Sequence, residues 1–585
     1  MRGVNEALSK TCGGTNGKCT DGRPHASCTG RRAEKAAIYP LKLCRAIING
    51  IHNQLLSVGW MHEDAVGVMF SAELHSLEEM PQGVAAAGAM RKTGRPQSTQ
   101  RGGRTFDALT KQVLDEDLVV EGKTAEMEFI RQWKVYDYAD YAEAQAETGR
   151  KPISTRWVCT NKGDDMAPNV RRRWVARYFR DEQDVIFAAT APYESIRLLL
   201  SIAAAKEESK TYKGQVGGRR LQVSLVDIKR AYFNAAVAED QPIFVELPPE
   251  DPEYGRKCGR LRRHLYGTRG AAAGWEEEYS AFLQEVGFTR GLASGCLFYH
   301  PGRDLRVAVY GDDFTIVGSC QEIDWLETAM EARYAITKRG RLGSSPEDCK
   351  ELMLLNRIVR WVDGKGVEVE ADPRQAERLV AQLGLTGANP LTTPGVKPTV
   401  QELETDDLIY DERGKVYQGG SARGNYMGLD RPETQFAVKE CCRWMSAPTE
   451  LALRALKRVG RFVEGQPRLV LKMNFENTEE NSQVDVYVDS DYAGCPRTRK
   501  STSGGCVMMG THLIKSWSST QNNAISLSSG EAELYAAVKG VGVGMGVQQY
   551  LRDLGMDAGL RVHTDSSAAQ GICKRVGLGT QRHIA

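Results

Sequence analysis

From about residue 110 the apolar positions of this chain fall into short, regular runs. Leu221, Val223 and Leu225 alternate up to Asp227, the pattern of a half-buried strand ending on a carboxylate, and Ile228 to Phe233 then reads as a helix start. Leu305 to Tyr310 and Phe314 to Val317 are two β-rich runs around Gly311-Asp312-Asp313, which predicts a hairpin with both aspartates at its tip. Ser195 to Ala205 reads as a buried helix and Met127 to Ala146 as another. Ile153 to Val158 and Trp174-Val175-Ala176 flank a turn at Lys162-Gly163-Asp164-Asp165, giving a second hairpin, and Phe244 to Leu247 is a short strand stopped by Pro248 and Pro249.

The pattern continues with a helix over Trp325 to Tyr334, strands over Leu352 to Trp361 and Gly366 to Glu370, and a helix over Arg374 to Gly384. A Pro/Thr-rich connector, Asn389 to Pro398, precedes a helical region from 415 to 465. Val484, Val486 and Val488 then alternate up to Asp489. Ser528-Ser529-Gly530-Glu531 is a capping box opening a helix that carries Glu533, and Leu560, Val562 and Thr564 lead to Asp565. At the other end, residues 1 to about 35 are polar and Gly-rich, Ala33 to Val58 has helical periodicity, and 87–104 has the composition of a linker.

Length and charge change the picture only in part. At 585 residues the chain exceeds one core, and domains of roughly 150 residues imply three or four. The net charge of +2 gives no global pull toward polyanions, but the cations are clustered. Arg171-Arg172-Arg173 with Arg177 and Arg180 form one group; Arg256, Lys257, Arg260, Arg262, Arg263 and Arg269 form another. Each alone reads as a solvated face, whereas two groups flanking the acidic positions favour a nucleic-acid or triphosphate channel. Fourteen cysteines without paired spacing and no apolar leader point to reduced thiols inside the cell, cytoplasmic or nuclear. Cys12, Cys19 and Cys28 lack a fourth ligand at finger-like spacing and read as free thiols. No apolar run reaches the roughly 20 residues that cross a bilayer.

The carboxylates carry the chemistry. An exposed acidic turn is the bland reading of Gly-Asp-Asp. Adjacent carboxylates are costly unless a cation lies between them, and a pair of Mg²⁺ ions about 4 Å apart is the usual occupant in phosphoryl transfer. Asp227, at the end of another strand, supplies the third carboxylate that two-metal nucleotidyl transfer needs beside Asp312 and Asp313. Asp489, Glu533 and Asp565, at strand end, helix and strand end, form a second set in an RNase H arrangement, suited to two Mg²⁺ (or Mn²⁺) that activate water against an RNA phosphodiester.

Several runs then carry a resemblance in the right order and spacing: Arg156-Trp157-Val158, the arginines with Val175-Ala176, Ser195 to Leu200, Val226-Asp227-Ile228-Lys229-Arg230-Ala231-Tyr232, Leu265-Tyr266-Gly267 with Trp275, and Tyr310-Gly311-Asp312-Asp313. Lys500 to Gly505 and Ser516-Trp517 extend it. Together they resemble the reverse transcriptase and RNase H part of copia-like retrotransposon Pol polyproteins, from about residue 125 onward. The resemblance implies that Asp227, Asp312 and Asp313 hold two Mg²⁺, that Arg171 and Arg173 touch the incoming triphosphate, and that Tyr232 is the steric gate excluding ribonucleotides. Arg269 joins them as a substrate-side cation. The implied partners are an RNA template, a DNA primer, their hybrid and dNTPs.

Two departures stand out. Gly270 occupies the place of a family glutamine that contacts the nucleotide, which removes a positioning group. Ala585 stands where His-Ile-Asp would supply a fourth nuclease carboxylate. The expected architecture is α+β: an N-terminal region with no assignable role over 1–110, fingers and palm over 111–400, a helical thumb or connection over 401–478, and a separate, C-terminally truncated RNase H-like α/β domain over 479–585. Gly-Asp-Asp also suits RNA-templated RNA polymerases, but Tyr232 and the second acidic set argue for DNA synthesis. The non-enzymatic alternative is a degenerate or co-opted element fragment that binds nucleic acid.

Overall fold

The computed structural model describes residues 100–101, 104–108, 112–161, 170–178, 188–205, 221–475, 483–521 and 525–575. The helix expected over 33–58, Cys12, Cys19 and Cys28, the turn at 162–165 and the run 581–585 lie outside them.

The fold is α+β, built around a six-stranded antiparallel sheet. Its order is Ile336–Leu342, Gln222–Ile228, Asp313–Gly318, Leu305–Tyr310, Leu297–His300 and Thr289–Arg290. Because side chains alternate along a strand, each strand feeds two cores. Val226, Val307, Val309, Phe314 and Ile316 pack under the helices Ala271–Glu285 and Cys320–Arg333, with Trp275, Phe282, Leu326 and Met330. Val223, Leu225, Ala308 and Val317 face the helix Tyr193–Ala205 on the other side. That helix is buried from Ser195 to Ala205 because a second sheet covers it in turn.

The covering sheet has the order His512–Thr520, Thr502–Met509, Gln483–Asp491 and Gly559–His563, with the last pair parallel and the helix Ser529–Asp553 packed across it. It does not stand apart as a separate body. Val486, Val507, Ile514 and Leu551 share one apolar cluster with Leu199 and Leu225. Asp553 accepts hydrogen bonds from the backbone N–H groups of Leu292, Ala293 and Ser294, and Arg306 donates to the Leu554 carbonyl. Between these sheets in sequence lie a helical group, Pro373–Gln382, Glu412–Met427, Gln435–Cys442 and Glu450–Gly465, and a four-stranded sheet closed by Val470–Asn474.

Tertiary pairing overrides local pattern at three places. The helix expected over Met127 to Ala146 is broken: Glu116–Gln132 ends near Lys134 (φ 47°), Tyr136–Ala139 is a strand, and Tyr141–Thr148 is a second helix. The strand forms because Cys258–Leu261 lies beside it and the Tyr136 hydroxyl donates to Asp251. Leu352 to Trp361 is a hairpin, since Leu355 and Asn356 (φ 48° and 64°) turn the chain so that Leu354 faces Arg357. After Asp227 comes one 3-10 turn, Ala231–Asn234, entered through Arg230 at φ 51°.

Glu370 illustrates how the four-stranded sheet is locked. Its buried carboxylate accepts from Arg468 and from Arg360. The Arg468 hydrogen bond above all, with Arg360 adding to it against the cost of burial, holds its pKa below the usual range. Such a group adds stability above its unfolded pKa of about 4.3, and the gain is lost as pH falls through the lower folded value. Glu370→Gln should therefore cost about 2 kcal/mol at neutral pH and progressively less below about pH 4. Matched urea midpoints of the two proteins at pH 7 would rule this out.

Candidate functional site

The hairpin places its two aspartates differently from each other. Tyr310 pairs with Asp313, so the turn is Gly311-Asp312 alone, and Gly311 takes the left-handed φ of 68° that a tight turn requires. Asp313 is thus the first residue of its strand, not part of the turn, and sits directly opposite Asp227 on the neighbouring strand. The Trp275 indole donates to the Gly311 carbonyl at 2.9 Å, and the Ile228 N–H donates to the Asp312 carbonyl at 2.9 Å, which fix the tip against the sheet. Burial pushes the Asp313 carboxyl up to about 6; Arg339 opposes the rise, and Asp312 and Asp227 add to it. Arg339 donates from one nitrogen to Asp227 at 2.5 Å and lies 3.0 Å from Asp313. No motif marks Arg339 in the sequence, where it is one cation in Lys338-Arg339-Gly340-Arg341.

An aromatic and basic wall rises beside the turn. Tyr232 and Tyr266 have ring centroids 4.9 Å apart, and the Arg173 guanidinium lies 4.5 Å from the Tyr266 ring. Burial first, then the Asp312 charge, raises the Tyr232 phenol, while Arg173 lowers it, so both charges lie near enough to act on this ring. Arg171 and Arg173 are exposed on Val170–Ala176, while Arg172 between them is buried, as strand alternation demands. Arg269 stacks 4.4 Å from Tyr178. Gly270 begins the helix Ala271–Glu285, and a Cβ built there would lie 2.9 Å from His264 Cε1. The space for a side chain at 270 is therefore filled by the His264 imidazole, which burial holds below its ordinary pKa.

The second acidic set converges more tightly. Parallel pairing of Gln483–Asp491 with Gly559–His563 brings Asp489 and Asp565 to one sheet edge, and Ser528 caps the helix that delivers Glu533 to it. Ligand oxygens of Asp489, Glu533 and Asp565 lie within 4.8 Å of one another. Glu533 is 9 % exposed. Its Oε1 accepts from the Ser490 N–H and hydroxyl, and its Oε2 is buried with no hydrogen-bond partner among the described residues. Burial above all raises its pKa, with the Asp489 and Asp565 charges contributing. A buried oxygen that lacks a donor beside two exposed carboxylates is a donor set that fits a divalent cation. Among the described residues Asp227, Asp312 and Asp313 do not form such a group, and the guanidinium of Arg339 already bridges two of them.

Residues 138–397 match the family model described as reverse transcriptase (RNA-dependent DNA polymerase). The retrovirus-related Pol polyprotein from transposon RE1 of Arabidopsis thaliana is 26% identical over 450 residues, covering 74% of this chain and 28% of that polyprotein. That alignment runs well past the family model. The chain is similar to copia-like retrotransposon Pol polyproteins. The corresponding RE2 polyprotein is 26% identical over 394 residues, 65% of this chain and 25% of its own length. The putative transposon Ty5-1 protein YCL074W of Saccharomyces cerevisiae is 22% identical over 329 residues, 53% of this chain and 98% of itself. The chain thus spans about a quarter of the length of the two plant Pol polyproteins. The reverse transcriptase match contains the Asp227 and Asp313 strands, the Tyr232 wall and Arg339; the Asp489 set lies beyond it. Among the described residues no helix is long and apolar enough to cross a membrane.

Proposed function

We propose that this chain is an RNA-directed DNA polymerase with an RNase H activity, arranged as fingers, palm and thumb followed by an RNase H-like unit. The observation that carries the reading is the strand register that sets Asp227 against Asp313 at the end of a two-residue turn, with the Asp312 charge near enough to Tyr232 to raise its phenol. Arg171 and Arg173 sit on the exposed face of a hairpin, Arg173 against Tyr266, and would meet the triphosphate of a dNTP together with Arg269, which stacks on Tyr178. The Tyr232 ring would lie where a ribose 2′-hydroxyl has to go. A charged triphosphate gains most from cations held in place before it arrives, and the stacking of Arg173 on Tyr266 supplies that.

In the second site Asp489, Glu533 and Asp565 would hold Mg²⁺ or Mn²⁺, which supplies activated water for hydrolysis of the RNA strand. Ser490 keeps Glu533 aimed at that edge. Template RNA, DNA primer and their hybrid would be the partners, inside the cell. A degenerate fragment would keep the fold without this pairing of an oriented aromatic gate and fixed cations.

Primer extension on poly(rA)/oligo(dT), with hybrid cleavage read in parallel, tests the reading. Extension with dTTP supports it; hybrid binding without extension under Mg²⁺ or Mn²⁺ would turn the assignment to the degenerate fragment. Tyr232→Ala is expected to raise ribonucleotide incorporation relative to dNTPs by roughly a hundredfold, the scale of losing one steric or packing discrimination of about 3 kcal/mol. Equal exclusion by the variant would make Tyr232 a packing residue only.

A further inference from the structure

A cleft of about 630 Å³ lies where the helical group meets the last sheet, and none of the six carboxylates discussed above lines it. Its walls come from the helices Gln435–Cys442 and Glu450–Gly465, from the connector around Leu391 and Val396, and from residues 494–497, which follow the strand Gln483–Asp491. Leu391, Val396, Phe436, Trp444 and Ala455 give it an apolar lining. Val396 and Phe436 remain 67% and 38% exposed, so the fold leaves this apolar surface uncovered.

The charged part of the lining is unbalanced. Glu402, Glu440 and Asp491 are each paired, with Arg454 at 3.8 Å, Arg443 at 2.9 Å and Lys397 at 3.6 Å, and Asp406 accepts the Leu451 N–H. Lys457, Arg458 and Arg461 lie within about one turn of a helix and have no carboxylate partner among the described residues. Arg458 donates to the Thr393 hydroxyl at 2.6 Å and Arg461 to the Asn389 carbonyl at 2.7 Å, both neutral acceptors on the connector. The Arg458 Nε is buried with no hydrogen-bond partner among the described residues. From the opposite wall, Arg497 stacks 3.9 Å from the Trp444 ring.

We propose that this cleft binds a small organic anion, with an apolar body against Val396, Phe436 and Trp444 and one acid group on Lys457 and Arg458. Small-molecule sites are clefts of roughly 300–1,000 Å³ with mostly apolar walls and a few convergent polar groups, which is the composition here. A groove for a nucleic-acid backbone is polar along its length, whereas five apolar side chains face this space. The acid group supplies the charge that the Thr393 and Asn389 oxygens do not, and an ionised acceptor makes the stronger hydrogen bond to a guanidinium. These arginines are already held by the connector, so little ordering is needed when the anion arrives. An occupant would touch both the helical group and the 494–497 loop and would stabilise their contact by mass action. The inference does not depend on the polymerase reading.

Isothermal titration calorimetry of the full chain with biphenyl-4-carboxylate tests it, beside biphenyl-4-methanol, which has the same body and no charge. The acid is expected to bind at one site per chain, and the alcohol about tenfold or more weaker. Lys457→Met and Arg458→Met should each weaken the acid by about tenfold and leave the alcohol unchanged; a merely distorted cleft would weaken both. Ala455→Trp, which fills the space, should remove both. Equal affinity for the two compounds in the unaltered chain, no saturable binding of the acid, or full acid affinity in Lys457→Met and Arg458→Met overturns the proposal. Displacement of the acid by an RNA/DNA hybrid overturns it as well and gives the cleft to nucleic acid. If circular dichroism shows Arg458→Met unfolded, Lys457→Met and the comparison of acid with alcohol decide.

Discussion

Asp312→Asn abolishes primer extension while primer–template binding stays within about twofold of the unaltered protein. The loss should be about a thousandfold or more, corresponding to ~4 kcal/mol of transition-state stabilisation. Asp312 is the informative position because, among the described residues, its side chain forms no ion pair: the salt bridges of Arg339 go to Asp227 and Asp313. Its backbone carbonyl accepts from Ile228, and asparagine keeps that contact. An amide replaces a carboxylate of nearly the same shape, so the turn survives and only the charge that acts on Tyr232 is removed. Matching melting temperatures would establish that the fold is intact. Extension at the unaltered rate would show that Asp312 takes no part in the chemistry, and the polymerase reading would fall with it.

The second large effect is on stability. Asp430 is 2 % exposed and accepts from the Tyr193 hydroxyl at 2.6 Å, from Arg357 at 2.8 Å and from Arg197 at 3.2 Å. Arg197, itself 2 % exposed, also donates to the carbonyls of Leu429 and Ile514. One carboxylate therefore balances two buried guanidinium groups that tie the central helix, the helical group and the last sheet together. Asp430→Ala leaves both cations buried and uncompensated, which costs about 3–5 kcal/mol. Because Arg197 reaches all three parts, extension and hybrid cleavage should be lost over the same temperature range. Arg197→Met removes charge and hydrogen bonds but refills the space, and should cost less than Asp430→Ala. Urea unfolding of both variants checks the order; a loss below about 1 kcal/mol for Asp430→Ala would mean that the network adds nothing net.

The candidate sites were legible to different depths. Asp227 and Asp489 stand out because each follows an alternating apolar run, a signal carried by neighbours two residues apart, and Asp312 because it lies between two β-rich runs. Asp565 and Glu533 follow from the same periodicity and from the Ser528 cap. The departure at Gly270 was visible, but not that His264 fills the space beside it, since that contact depends on how the helix Ala271–Glu285 is entered. The Met127 to Ala146 run misled because its helical spacing is genuine over 127–132 and 141–146, while Tyr136–Ala139 between them is claimed by a strand more than a hundred residues away.

The local elements, the carboxylates at their ends and the likeness to reverse transcriptases can be read along the chain, because alternation, capping and motif spacing are written between near neighbours. Only the tertiary structure decided which cation meets Asp227 and Asp313, through a bulge that turns Arg339 away from Lys338 and Arg341. It also decided that the last sheet shares a core with the first, through Arg197, Arg306 and Asp553. Arg339 lies 112 residues from Asp227, and the contacts of Arg197, Arg306 and Asp553 span 317, 248 and 259 residues, a range at which pairing is set by the register and packing of whole sheets.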